Sequence, residues 1–379
     1  MKKDWRSVTV GNILQLEYGK PLPEGDRVDD GMYPVYGANG EKGRTNHCYY
    51  DQPSIIVGRK GSAGELNLSD GGFWPLDVTY FVKLKSEIDL RFVYYLLTRL
   101  DLPSLAKGVK PGINRNEVYA ITVSVPGLKE QQRIVAILDE AFQGIAAAAA
   151  NAERNLSNSR SLFESSLESR LAGGGATWAT KPLSVICTFK HGFAFKSEHF
   201  RPEGDYVLLT PGNFYERGGY RDRGEKQKYY RGDFPTDFLL KPGDLLVAMT
   251  EQASGLLGSP IIVPESGAFL HNQRLGLVKT RPGVPWLNDF FFYAFNTLAF
   301  RKAVHDSASG VKVRHTSPSK LGEITISFPQ SLEEQKAVVS EMQEAATDAL
   351  RLEGIYYKKL ATLEELKQSL LYQAFSGNL

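Results

Sequence analysis

The two halves of this chain match one another in order from end to end, and any fold it adopts must accommodate that. Trp5 pairs with Trp178 at an offset of 173, and Ser54-Ile55-Ile56-Val57 with Asp244-Leu245-Leu246-Val247 at 190. Val82-Lys83 pairs with Val278-Lys279 at 196, Thr98 with Thr297 at 199, and Gly108-Val109-Lys110 with Gly310-Val311-Lys312 at 202. Ile121-Thr122 and Ile324-Thr325 follow at 203, and Leu128 and Leu332 at 204. The offset only rises, and then holds at 204 through Leu162 and Leu366 to Gly173 and Gly377. Chance identities would scatter, so the pattern reads as a duplication. Insertions entered the first part of each half and none entered the last.

The locked segment reads as helix. In the second copy apolar or small residues recur with 4,3 spacing at Val338, Met342, Ala345, Ala349, Leu352, Tyr356, Leu363, Leu366 and Leu370, interrupted only by Lys359. The first copy runs Ile134, Leu138, Ala141, Ile145, Ala148 and Ala152, then weakens at Asn155 and Ser159 before Leu162. Pro126 and Pro329 precede the two starts, and Gly173-Gly174-Gly175 and Gly377 are the expected stops. From Glu130 to Leu171 is 42 residues, a rod of roughly 60 Å. A heptad helix alone fits a homodimeric coiled coil or a core helix equally well. Two equal rods on one chain can instead pack against each other as an antiparallel coiled coil, giving a pseudo-twofold axis.

The remaining parts, 1–125 and 176–328, carry short β-branched runs such as Ile55 to Val57, Ile121 to Val125, Pro260 to Val263 and Ile324 to Phe328. Ala38-Asn39-Gly40, Pro111-Gly112, Pro242-Gly243 and Pro282-Gly283 supply turns between them. One amphipathic helix is predicted in each, over 90–100 and 289–303, with its aromatic face in the core. The expectation is α+β: two strand-rich domains, 1–125 and 176–328, joined by helices over 126–175 and 329–379. Hydrophobic residues at 42% and charged residues at 23% are ordinary for a globular protein. The opening MKKDWRSVTV lacks a signal-peptide core, and the apolar run near Phe290 to Phe300 is broken by Asn296 and flanked by Asp289 and Arg301; a cytoplasmic protein is expected. Cys48 and Cys187 lack CxxC spacing and read as packing residues.

The order of these features resembles the specificity subunit of type I restriction-modification systems. Helices in that family open as Pro126-Gly-Leu-Lys-Glu-Gln-Gln-Arg-Ile-Val135 and Pro329-Gln-Ser-Leu-Glu-Glu-Gln-Lys-Ala-Val338 do, and close as Leu366 to Gly377 does. Tyr33-Pro-Val-Tyr-Gly37, Gly58-Arg-Lys-Gly61, Gly243-Asp-Leu-Leu246 and Asn272-Gln-Arg274 are similar to recurrent family segments, and Pro111-Gly-Ile-Asn114 fits the turn before the last strand. The second copy departs there, reading Val313-Arg-His-Thr-Ser317. The resemblance implies function by binding. Each target-recognition domain would read half of a bipartite DNA target, and the helices would set the gap and dock two modification subunits as an adenine-N6 methyltransferase. Restriction subunits would be added for cleavage. The chain itself would hold no cofactor, S-adenosylmethionine and ATP with magnesium being used by the partners.

The chemistry of the residues is compatible with this. No methyltransferase tetrapeptide or GxxxxGK[ST] loop occurs, and six histidines show no HExxH or HxH spacing. The stretch from Gly37 to Thr45 has the wrong glycine spacing for a nucleotide site. Net charge, +2, decides nothing. Reading DNA needs cations for phosphates and Arg, Lys, Asn or Gln for base edges. In turn-rich contexts the first half offers Lys42, Arg44, Asn46, Arg59, Lys60, Lys107, Lys110, Asn114 and Arg115. The second offers Arg217, Arg221, Arg223, Lys226, Lys228 and Arg231 among tyrosines, with Gln252, Gln273, Arg274, Lys312, Arg314 and His315. Solvated loops would carry the same residues. A coiled-coil scaffold with two β-rich protein-binding modules explains the rods but less easily these turns.

Overall fold

Each half closes with one uninterrupted 45-residue helix, Leu128–Ala172 and Leu332–Ser376, about 66 Å long. The computed structural model describes residues 5–172, 174–252 and 255–379. Gly377, with φ at 78°, ends the second helix in the left-handed conformation that glycine takes without strain; Gly173, the corresponding expected stop, lies outside the described residues. The chain divides into two units, Met1–Arg154 with Tyr356–Leu379, and Asn155–Ile355. Both boundaries fall inside the long helices.

In the first unit, strands Leu14–Tyr18, Thr79–Leu84, Ser54–Gly58 and Leu66–Ser69 form an antiparallel sheet in that spatial order. Strand Ser54–Gly58 is buried throughout, which accounts for its continuous apolar run. A second sheet holds Gly40–Thr45, Tyr33–Gly37 and Trp74–Pro75, and Arg6–Thr9 pairs with Thr122–Val125. Helix Leu90–Arg99, capped by the Asp89 carboxylate on the Phe92 N–H at 2.9 Å, buries Phe92, Val93 and Leu96 against Leu14, Leu16 and Ile55. Ile134 and Leu138 of one long helix and Leu371, Ala374 and Phe375 of the other enter the same core. Phe375 lies 5.2 Å from Phe92, and burial of such a side chain contributes about 2–3 kcal/mol. Arg133 donates to the Leu379 carbonyl, and Lys367 lies over Phe142, so these two helical segments run antiparallel.

The second unit has a four-stranded antiparallel sheet of the same order, Cys187–His191, Leu275–Thr280, Leu245–Ala248 and Pro260–Ile262. Its second sheet comprises Phe200–Arg201, Tyr229–Tyr230, Tyr206–Leu209 and Ala268–His271, and Trp178–Pro182 pairs with Thr325–Pro329. Leu167, Leu171, Val338, Val339 and Met342 pack on Phe290, Phe291 and Phe295. Arg160 pairs with Glu353 at 3.1 Å and Arg170 with Glu341 at 2.7 Å, again in antiparallel sense.

Several expectations need correction. Leu162 and Leu366 are 64% and 46% exposed, outside the seam predicted for them. An α-helix of 3.6 residues per turn drifts about 20° per heptad against a strict 3.5 repeat, so over the four heptads from Ile134 to Leu162, or from Val338 to Leu366, a 4,3 pattern runs about 80° out of phase with the helix. The inward positions pass to half-buried Phe163 and to buried Leu167 and Leu371. Ile134, Leu138, Val338 and Met342 are buried, while Ile145, Leu352, Tyr356, Leu363 and Leu370 are half-buried. The single helix over 289–303 is two, Asn288–Phe295 and Leu298–Ser307, because the Thr297 hydroxyl caps a new start. Cys187 packs in the core, but Cys48 is exposed. Among the described residues, Leu128–Ala172 is long and apolar enough to cross a membrane by length and composition; its Ile134 and Leu138 lie in protein core.

Candidate nucleic-acid interface

In the first unit three chain segments meet at one end of the four-stranded sheet. Beyond strand Ser54–Gly58, the Arg59 and Lys60 N–H groups donate to the Val78 carbonyl at 2.9 and 3.2 Å. The hairpin closed by Lys107 and Gly112, which exchange hydrogen bonds of 3.0 and 3.1 Å, joins this edge: Gly61 N–H donates to Pro111 and Ile113 N–H to Arg59. Arg59, Lys60, Lys107, Lys110, Asn114 and Arg115 are thereby gathered on one rim. Tyr18, at the end of strand Leu14–Tyr18 on the far side of Thr79–Leu84, has the Arg115 and Arg59 guanidiniums 4.9 and 5.3 Å from its ring centroid, a stacking that holds two cations close together. Tyr80 packs against it, ring centroids 5.0 Å apart. Burial, with the hydrogen bond to Tyr18, pushes the Tyr80 hydroxyl up to about 12.

Not all of these groups are uncommitted. Arg59 donates twice to the Asp77 carbonyl, Lys107 pairs with Glu117 at 2.9 Å, and the Asn114 side chain caps helix Arg115–Ala120 through the Asn116 N–H. Lys60 and Lys110 make no side-chain hydrogen bond or ion pair among the described residues. Lys42 and Arg44 lie on Gly40–Thr45, which pairs antiparallel with Tyr33–Gly37 with a register shift between Pro34 and Tyr36, and Asn46 follows that strand. Arg44 is spent internally on the Gly31 and Met32 carbonyls and Glu41, and Asn46 accepts from the Met32 N–H. Lys42 is exposed, its stem against Gly37.

The second unit builds its rim from the corresponding places. Met249 N–H donates to the Arg274 carbonyl and Thr316 N–H to the Met249 carbonyl, both at 2.9 Å, and Thr250–Glu251 pairs with Arg314–His315. Gln252, Arg274, Lys312, Arg314 and His315 therefore come together, with exposed Gln273 beside Arg274. Arg314 donates to the His305 carbonyl at 2.7 Å and touches its ring, while its buried Nε has no partner. Ser317 caps helix Pro318–Glu323 as Asn114 caps its counterpart.

Two residues passed over in the sequence shape this rim. The buried Glu251 carboxylate accepts the Gly255, Leu256 and Leu257 N–H groups at 2.9–3.1 Å. Arg301 donates to the Leu257, Glu216 and Gly255 carbonyls, and burial pulls its guanidinium down to about 10. Together they hold the backbone of Gly255–Leu257. Glu251 with a glycine four residues on was visible in the sequence; the approach of Arg301 to the same stretch of backbone was not.

The cations of 217–231 do not form one patch. Arg217 pairs with Glu164 at 3.2 Å, Arg221 lies over Tyr215, Arg223 packs on Gly212, and Lys228 lies over Phe200. Lys226 and Arg231 are exposed. Buried Asn213 and Gln227 organise the loop, the Asn213 amide donating to the Gln227 side-chain oxygen at 2.9 Å. Among the described residues no cluster of His, Cys, Asp and Glu is placed to hold a metal.

The family model for the type I restriction modification DNA specificity domain matches residues 2–153 and 176–354. Similar curated proteins include the type I restriction enzyme EcoprrI specificity subunit of Escherichia coli, 25% identical over 138 residues that cover 35% of this chain and 34% of that protein. The EcoBI specificity subunit, also of Escherichia coli, is 26% identical over 229 residues, 59% of this chain and 44% of that protein. This chain thus spans from about a third to less than half of the length of these curated relatives. A solved chain, described under the structural basis of complex assembly and conformational transition of the type I R-M system, has a TM-score of 0.77 at 16% identity, covering 100% of this chain and 99% of its own. That likeness is one of fold.

Proposed function

Because this chain belongs to the family of type I restriction modification DNA specificity domains, we propose that it is a non-catalytic subunit that reads a bipartite double-stranded DNA target. The observation that carries the proposal is the rim. In each unit the same three segments converge at the same end of a sheet of the same strand order, and both sets bring cations and amides. Each rim reads one half-site. Exposed Lys60, Lys110 and Lys312 take phosphates, and Gln252, Gln273, Arg274 and His315 are the nearest candidates for base edges. Arg59 and Arg115 serve as a pair, oriented by Tyr18.

On this reading the recognition domains are 1–125 and 176–328, duplicated, and the two long helices pair along their length as an antiparallel coiled coil that sets the unread gap. The antiparallel contacts inside each unit support that pairing. Catalysis belongs to partners: two modification subunits using S-adenosylmethionine for adenine-N6 methylation, and restriction subunits using ATP and magnesium, all in the cytoplasm. Single-molecule methylome sequencing of a host carrying the chain with its partners tests the proposal. A split, adenine-methylated motif that disappears when the chain is deleted is the expected result, and a methylome indifferent to the deletion rejects it.

A further inference from the structure

The duplicated Gly-Val-Lys tripeptide forms the tip of a hairpin in both units. In the first, Lys107 and Gly112 close the hairpin, Gly108 has φ of 94°, and Val109 projects with 105% relative exposure. In the second, Ser309 and His315 close it at 2.9 Å, Gly310 has φ of 97°, and Val311 is 97% exposed. A Cβ on Gly310 would lie 2.1 Å from the Val313 carbonyl, so the bend there is restricted to glycine. Among the described residues these two valines are the most exposed of the large apolar side chains. A solvated turn gains nothing from a β-branched apolar tip, and finding it twice, each time followed by an exposed lysine, implies a common contact.

We propose that this tip is a reading finger: Val109 and Val311 each meet a thymine C5 methyl in the major groove while Lys110 and Lys312 take adjoining phosphates. The proposal rests on the DNA-reading function above. Valine suits the methyl because apolar contact there distinguishes thymine, whereas the wedges that unstack base steps are mostly longer side chains. Because the tripeptide is identical in rims that otherwise differ, both half-sites hold an A·T pair at the same place relative to the finger. Val109 reads it in one half-site and Val311 in the other.

The test uses the full chain, with the partners that copurify with it, on a library of randomised DNA duplexes. Wild type should enrich a split motif with an A·T pair in each half. V109A should relax that pair in one half-site only, and V311A in the other, each with an affinity loss of about fourfold. Replacing that thymine by deoxyuridine, which removes only the methyl, should weaken wild type equally and leave the matching variant unaffected. K110Q and K312Q should weaken all duplexes alike and reduce the salt dependence. Enrichment of an unchanged motif by both valine variants, with indifference to deoxyuridine, overturns the finger and leaves the DNA-reading function standing. No enrichment by wild type overturns both.

Discussion

Gln131 and Gln335, the glutamines of the two helix openings, each fix three elements with one side chain. Gln131 accepts the Asp89 N–H and donates to the Pro126 carbonyl, both at 2.8 Å; Gln335 accepts the Leu287 N–H and donates to the Pro285 and Pro329 carbonyls. Both are almost fully buried. Replacing Gln335 with Met keeps the volume but strands one N–H and two carbonyls, at a cost of about 1–3 kcal/mol for each group left unsatisfied. A urea midpoint for Q335M within error of wild type would contradict this. His271 gives a second residue-scale prediction. Burial pulls its imidazole down to about 4, with Nε2 on the Leu275 carbonyl and Nδ1 unpartnered. The unfolded chain, with an ordinary value near 6.5, binds the proton first, so stability is complete above that value and falls as pH drops towards 4. At about 1.4 kcal/mol per pH unit the loss approaches 3 kcal/mol. Urea titrations at pH 7.5 and 4.5 should show this slope in wild type and a shallower one in His271→Gln.

At the scale of elements, the phase of the long helices makes a sharp contrast between neighbours. Leu162 stands in solvent and Leu167 is 4% exposed. Leu162→Lys should leave the unfolding midpoint within about 0.5 kcal/mol of wild type, and Leu167→Ala should cost about 2–5 kcal/mol. Equal effects would restore the strict heptad seam. The reason the sequence placed Leu162 inside is instructive: a 4,3 pattern identifies the helix but carries an error that grows with length, so the phase is right near Ile134 and wrong four heptads later. The short helices Val10–Ile13, Leu183–Ile186, Arg115–Ala120 and Pro318–Glu323 span too little chain for any periodicity. The caps of the last two were visible only as a polar residue, Asn114 and Ser317, before an ordinary run. The buried strands Ser54–Gly58 and Leu245–Ala248 were legible because a continuous β-branched or leucine-rich run between turns has few other uses.

At the scale of the molecule, order along the chain was legible and convergence was not. The rising offsets anticipate two sheets of one strand order, because insertions change loop lengths without changing which strand follows which. That Arg59 and Arg115 share Tyr18, or that Arg217 is drawn to Glu164, depends on tertiary approach and left no local mark. The locked offset of 204 through both helices bears on the proposed spacer. If the paired helices set the gap, a seven-residue deletion from each shortens both by about 10 Å, close to three base pairs at about 3.4 Å each. The same deletion turns the helix face by only about 20°, while three base pairs turn the duplex by roughly 100°. Matched deletions should therefore leave both half-site sequences intact and abolish binding at the original gap. Any rescue should come from a duplex whose gap is changed, and selection from a library that varies the gap reads this directly. Altered half-sites with an unchanged gap would show that the helices are connectors and that spacing is fixed within the readers.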